Sequence, residues 1–130
     1  MKALSLTQPW ASLVALGHKR IETRSWSTRY RGVIAIHASR GFPMPARDIA
    51  ATIRFEGVVE LPLSLPLGAI IATARLVDVR RTEAVRGEIS SLERSLGDYS
   101  PNRFAWFFED ALQVTPPIPK LGSLGLWEWS

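Results

Sequence analysis

Apolar and polar positions alternate along this chain in blocks, and each change of period marks an element. "LSL" at 4–6 reads as a short strand; Trp10, Leu13 and Val14 then recur at the spacing of one helix face. Thr7 stands where a cap belongs, Pro9 suits a first turn, and Gly17 suits a left-handed stop, which predicts a helix of about ten residues. Ser5, Thr7 and Gln8 are placed either to cap this helix or to present polar groups to a cleft, with capping the expectation, and Trp10 is expected to join the buried face. From Arg20 to Trp26 the period becomes two, with Arg20, Glu22, Arg24 and Trp26 on one strand face and Ile21, Thr23 and Ser25 on the other. Lys19 has the opposite parity. It joins the charged face only if the chain bends after Gly17.

Beyond "RYRG", the β-rich run "VIAIHAS" at 33–39 is expected to fold back on the preceding strand as a hairpin. Gly41, Pro43 and Pro45 break the chain before a helical segment from Ala46 to about Phe55, whose expected buried side is Ile49, Ile53 and Phe55. The longest β-like run, "AIIATARLVDV" at 69–79, begins with apolar residues on both faces, as a central or barrel strand does. Thr82 to Leu96 reads as a surface helix or helical loop, weakened by Gly87 and ended by Gly97. "RFAWFFE" at 103–109 is a second strong strand, "VTPPIPKLG" a stiff loop and "GLWEW" a closing strand. Strand, helix and then mostly strands cannot build a βαβ-rich parallel sheet. The fold class is therefore α+β, with a curved sheet or a small closed barrel of mostly antiparallel strands flanked by short helices.

Composition narrows the chemistry. The 130 residues suit one domain, 1–130, with one core. The absence of cysteine excludes disulfides, thiolate catalysis and zinc held by Cys, and the two histidines, His18 and His37, cannot complete a metal site without carboxylates. No metal and no cofactor is expected. His37 alternates with Ala35 on its strand and reads as structural. The first residues hold no long apolar stretch and no segment approaches a membrane span, so a soluble cytoplasmic protein without a membrane partner is expected. Net charge is only +4, but seven of the sixteen basic residues lie between 18 and 47, where Glu22 is the sole carboxylate.

That cluster centres on "GHKRIETRSW", where charged residues occupy a strand that should disfavour them. An arginine two residues from a glutamate on one face is held rigid by it, leaving guanidinium donors for a phosphate or a base edge. Lys19 would add a mobile point charge, and the Glu22 carboxylate can accept from the amino group of cytosine or adenine. The competing reading is an ion-pair network that ties helix to strand. Among the aromatics, Trp106 reads as core, whereas Trp26 and Tyr30 adjoin the basic segment and are candidates for stacking on bases. Arg29 and Arg31 are candidates for outer phosphate contacts.

The blocks "QPWASL", "G-x-K-x-x-E-x-R" and "RG-x-(I/V)-x-I", followed by "PLGAIIATARLVDV" and "FAWFFEDALQVTPPIPKLGSLGLWEW", resemble the ASCH domain family, the activating signal cointegrator homology family, over nearly the whole chain. The resemblance implies a PUA-like pseudo-barrel with a cleft that receives a nucleic-acid component. It carries motif roles onto Gly17, Lys19, Glu22 and Arg24.

The leading expectation is a binding module for RNA or another single-stranded nucleic acid, or a nucleotide, held in the cleft by Lys19, Glu22, Arg24, Trp26, Arg29, Tyr30 and Arg31. The alternative is a metal-independent hydrolase acting on RNA or on a modified nucleoside, with Lys19 and Glu22 as catalytic groups. One family branch resembles an N4-acylcytidine amidohydrolase, but it carries threonine where Glu22 stands and a central-strand glutamate where this chain offers Ala72 and Thr73. A protein-interaction role is the third option.

Overall fold

The first strand, β1 (Lys2–Leu6), is buried on both sides. Leu4 and Leu6 enter the main core, and Ala3 packs with Ala35 and Ile70 behind it. The elements continue as α1 (Trp10–Ala15), β2 (Ile21–Arg24), β3 (Gly32–Ala38), α2 (Met44–Glu56), β4 (Ala69–Arg81), α3 (Thr82–Val85), α4 (Ser91–Ser95), β5 (Phe104–Pro119) and β6 (Leu126–Glu128). This computed structural model describes residues 1–130, the side chain of Phe55 excepted.

Helix α1 starts two residues later than Thr7 would dictate, with Pro9 as its N-cap. Its free amide is satisfied from Gln8 instead: the Ser12 N–H donates to Gln8 Oε1 at 2.9 Å, while Gln8 Nε2 donates to Ser12 Oγ and to the Pro66 carbonyl. The capping expectation therefore holds for Gln8 and fails for Ser5 and Thr7. Gly17 does adopt φ 79°, a left-handed conformation that suits glycine. The N–H groups of His18 and Lys19 then both donate to the Leu13 carbonyl, at 2.9 and 3.0 Å. The chain thereby doubles back under the helix, which is the bend that Lys19 needed.

The sheet order is β2-β5-β4-β3-β1-β6, antiparallel except between β1 and β3. The expected hairpin of β2 with β3 does not form. Residues 34–38 are all buried, so β3 takes an interior place between β1 and β4, whereas β2 carries a charged face and lies at the edge against β5. The expected loop "VTPPIP" is likewise the second half of β5. Beyond Phe107 that strand has lost β2 and pairs only with β4, which leaves one side free for prolines that cannot donate.

Register shifts interrupt β3–β4 once and β4–β5 three times. Each such irregularity adds bend and twist, and the sheet curls into a half-barrel. Its two ends approach closely enough that Arg24 of β2 donates through Nη2 to the Ser5 carbonyl of β1 at 2.7 Å. The sheet is thus curved but not closed by its own ladder. Trp106, Leu4, Leu6, Ile34, Ile36 and Leu76 fill its concave side.

Helix α1 presses Ala11, Val14 and Ala15 onto that core and turns Leu13 toward Ala50 and Ile53 of α2. Ile49, expected to be buried, is 40% exposed, because Ala46, Ala50 and Ile53 define the inner face of α2. The expected burial of Phe55 lies outside the described residues. The segment from Thr82 to Leu96 is two short helices split around Gly87. Among the described residues, no helix is long and apolar enough to cross a membrane.

Candidate functional site

The alternation on β2 does what its period dictates: Ile21 and Thr23 are buried on one face, while Glu22 and Arg24 are partly buried on the other. Pairing with β5 sets Glu22 opposite Trp106 and Arg24 opposite Phe104. Just past the strand, the Trp26 ring meets Trp106 edge to face, with centroids 4.8 Å apart, and the Trp26 carbonyl accepts from Trp106 Nε1 at 3.2 Å. A cavity of about 320 Å³ opens in front of this strand. Glu22, Arg24 and Trp26 line it together with Ser5, Thr7, Trp10, Thr23, Ser25 and Arg103.

Glu22 is the electrostatic pivot. Its Oε1 lies 3.5 Å from Lys19 Nζ and its Oε2 3.2 Å from Arg24 Nη2. Of the five N–H donors on Arg24, Nη2 serves the Ser5 carbonyl and Glu22, Nε is buried without a partner, and Nη1 makes no hydrogen bond among the described residues. The guanidinium is therefore fixed at one corner and open at another, as recognition of a phosphate or base edge requires.

Lys19 is not a mobile charge. It is 1% exposed, with its ammonium donating to the Ile21 carbonyl beneath Glu22. Burial holds this ammonium below the usual lysine range, against the opposing pull of Glu22 and Glu93. Its geometry orients Glu22 from below. The expected ion-pair network forms, with Lys19 beneath it and Glu22 and Arg24 lining the cavity.

The other candidates lie apart. The Tyr30 hydroxyl donates to the Val33 carbonyl at 2.7 Å, and its ring packs against the core, so it braces the turn before β3 and leaves the stacking role unfilled. Arg31 Nη1 donates to the Thr28 and Tyr30 carbonyls, and its Nη2 lies 3.9 Å from Asp78. Arg29 is exposed, and neither arginine lines the cavity. In exchange the structure brings in Trp10, expected in the core, which is only partly buried and lines the cavity. Arg103 also enters, held by the Asp98 and Thr23 carbonyls. A signal for Trp10 existed: it occupies the first turn of α1, beside the polar Ser5 and Thr7, where a helix face is easily left open.

A second cavity of about 550 Å³ adjoins the first, and Ser5, Thr7 and Arg24 line both. His37, expected to be structural, is 2% exposed and fixes one wall. Its Nε2 lies 2.7 Å from the Lys120 carbonyl, which can only accept, so that nitrogen carries the proton. Nδ1 then accepts from the Ser5 hydroxyl at 2.9 Å, and Ser5 Oγ in turn accepts from Trp127 Nε1. Gly122 covers this chain of bonds so tightly that a Cβ there would fall 2.6 Å from His37 Cε1.

The fold has solved counterparts. ASCH from Zymomonas mobilis superposes with a TM-score of 0.57 at 16% identity, covering 91% of this chain and 72% of that one. A point-mutant form of the same protein gives 0.57 at 17%, covering 91% and 74%. Activating signal cointegrator 1 of Mus musculus is 30% identical over 129 residues, which are 96% of this chain and 22% of the relative. The Homo sapiens protein of that name matches over the same shares. This chain thus spans about a fifth of the length of the curated relatives it matches. With residues 4–118 matching the ASCH domain and the curled sheet matching ASCH structures, the chain belongs to the ASCH domain family.

Proposed function

We propose that this domain binds single-stranded nucleic acid, RNA before DNA, and holds one nucleotide in the cavity in front of β2. The observation that carries the reading is the Glu22–Arg24 pair sharing one concave space with Trp10 and Trp26. Aromatic faces accept any base by stacking, the carboxylate accepts from an exocyclic amino group, and the free Nη1 serves a phosphate or a base acceptor. Lys19 acts here as a positioning residue. Arg29, exposed and without an ion pair among the described residues, is the outer phosphate contact in this reading; Arg31, half engaged by Asp78, contributes less.

Burial of the Lys19 ammonium supports binding over hydrolysis, since an amine enclosed beneath Glu22 does not reach a substrate carbonyl in the cavity. β4 also brings no carboxylate near the position where the amidohydrolase branch carries one: Ala72 is buried and Thr73 faces Leu112.

Titration of labelled RNA and DNA oligonucleotides of matched sequence, at two salt concentrations, tests the proposal. Affinity should fall with salt and favour RNA, and Glu22→Gln should weaken binding about tenfold with the fold intact, the loss of one charged hydrogen bond. Hydrolysis of N4-acetylcytidine or RNA by the wild type, abolished in Glu22→Gln, would instead support the enzymatic alternative. No binding of either nucleic acid at low salt would refute the binding reading.

A further inference from the structure

The larger cavity gathers three cations, Arg24, Arg40 and Lys120, and no carboxylate. The arginines of β4 are matched, Arg75 by Glu109 and Asp110, Arg80 by Glu88 and Arg81 by Glu83, and Arg103, just before β5, is matched by Asp98. Arg40 and Lys120, on the rim of the larger cavity, make no ion pair among the described residues, and no carboxylate lines that space. Arg24 projects to it from the shared boundary. Concave walls of low dielectric concentrate such a field and raise the local concentration of anions.

The cavity is also built in advance. Its outer wall, the loop 120–125, is pinned by His37 to the Lys120 carbonyl and by the close packing of Gly122 on His37 and Ser5. Little ordering remains for a ligand to impose. Leu121 and Leu124 stand 73% and 96% exposed along the same loop, offering apolar surface beside the cations. An anionic group with an attached flat or aliphatic body fits that combination.

We propose that the larger cavity is a second nucleotide subsite, so that the ligand is an oligonucleotide of at least two residues and not a free nucleoside. The linking phosphate lies at Arg24, the one cation common to both cavities, and the neighbouring nucleotide rests between Arg40 and the loop 120–125. This rests on the nucleic-acid reading of the smaller cavity. Size agrees: about 320 and 550 Å³ both fall within the range of small-ligand sites, and the two spaces are contiguous at Ser5, Thr7 and Arg24.

The test measures affinity, by calorimetry or competition, for the four nucleoside 5′-monophosphates, 5′-phosphorylated mixed-sequence RNA dinucleotides, which carry one phosphate more, and a mixed-sequence RNA decamer. Dinucleotides should bind at least tenfold more tightly than monophosphates, with a salt slope steeper by about 0.7 for the added phosphate contact. The double variant Arg40→Ala/Lys120→Ala should erase that advantage, and its melting curve establishes that it is folded. Equal binding of mono- and dinucleotides, or a dinucleotide advantage that survives the double variant, overturns the second subsite while the nucleic-acid reading stands. Failure of the decamer to bind removes that reading, and the subsite with it.

Discussion

Replacing Lys19 by methionine keeps the stem and removes only the ammonium, so it isolates what the buried charge does. At an effective dielectric of about 20, charges 3.5 Å apart attract by about 5 kcal/mol. Desolvating a buried ammonium costs several kcal/mol and outweighs that attraction, which is why the Lys19 pKa is lowered. What remains is the Ile21 carbonyl, left without its donor at a cost of about 1–3 kcal/mol, which is the expected loss near neutral pH. The pH dependence is the sharper signature. Because burial depresses the folded-state pKa of Lys19 below 10.5, the unfolded chain holds this proton more tightly than the native one in the window between the two values. Lys19's contribution to stability therefore falls as pH drops through the folded value and rises toward the unfolded one, by up to about 1.4 kcal/mol per pH unit. Urea unfolding of wild type and Lys19→Met, followed by tryptophan fluorescence from about pH 7 to about pH 10, reads the difference. It should widen at the alkaline end. A difference that stays constant with pH, or a variant more stable than wild type throughout, refutes the reasoning.

Two further substitutions probe the packing around the site. Gly122→Ala places a methyl 2.6 Å from His37 Cε1 and 2.7 Å from Ser5 Oγ, and the forced shift should cost about 1–3 kcal/mol, seen as a lower urea midpoint. Gly41→Ala, where nothing lies within 4 Å, is the control, and equal losses from both would show that the contact is not the cause. Tyr99→Phe removes a buried hydroxyl that has no partner among the described residues, and should be neutral or stabilising by up to about 1 kcal/mol. Burial, with Glu93 and Glu22 adding to it, raises the Tyr99 pKa, so wild type should lose stability as pH rises past the ordinary value of 10.0. The variant should lack that loss, and superimposable alkaline limbs would contradict the assignment.

Much of the frame was legible because local pattern and tertiary packing agreed. Gly17, the two faces of β2 and the doubly apolar start of β4 each adopt what their spacing required. Pairing was not legible, since nothing near "RYRG" distinguishes a hairpin from strands that part, and the decision came from the burial of β3 on both faces. The prolines of "VTPPIP" pointed away from a strand for a sound reason, yet the rule relaxes where a strand has one neighbour. At the site, Glu22, Arg24 and Trp26 were legible as alternate residues of one face. Tyr30 and Arg31 misled because adjacency in sequence ends where the strand ends, and their side chains turn back onto their own loop. Arg40 and Lys120 lie eighty positions apart and share a cavity because Ala38 and Pro119 both pair with Ala69 of β4.

The hydrogen bond from Arg24 to the Ser5 carbonyl makes this side chain a rivet of the curl, and under the proposed function it is a reader as well. A genetic screen that scores only protein abundance and one that scores only ligand capture would both flag position 24, for unrelated reasons. Suppressor mutations that restore the curl elsewhere would recover the first phenotype and leave the second untouched. Diversification of ligand preference in this domain is therefore channelled toward residues with no such double duty, among them Trp10 and Ser25 around the smaller cavity and Arg40 and Ser123 around the larger.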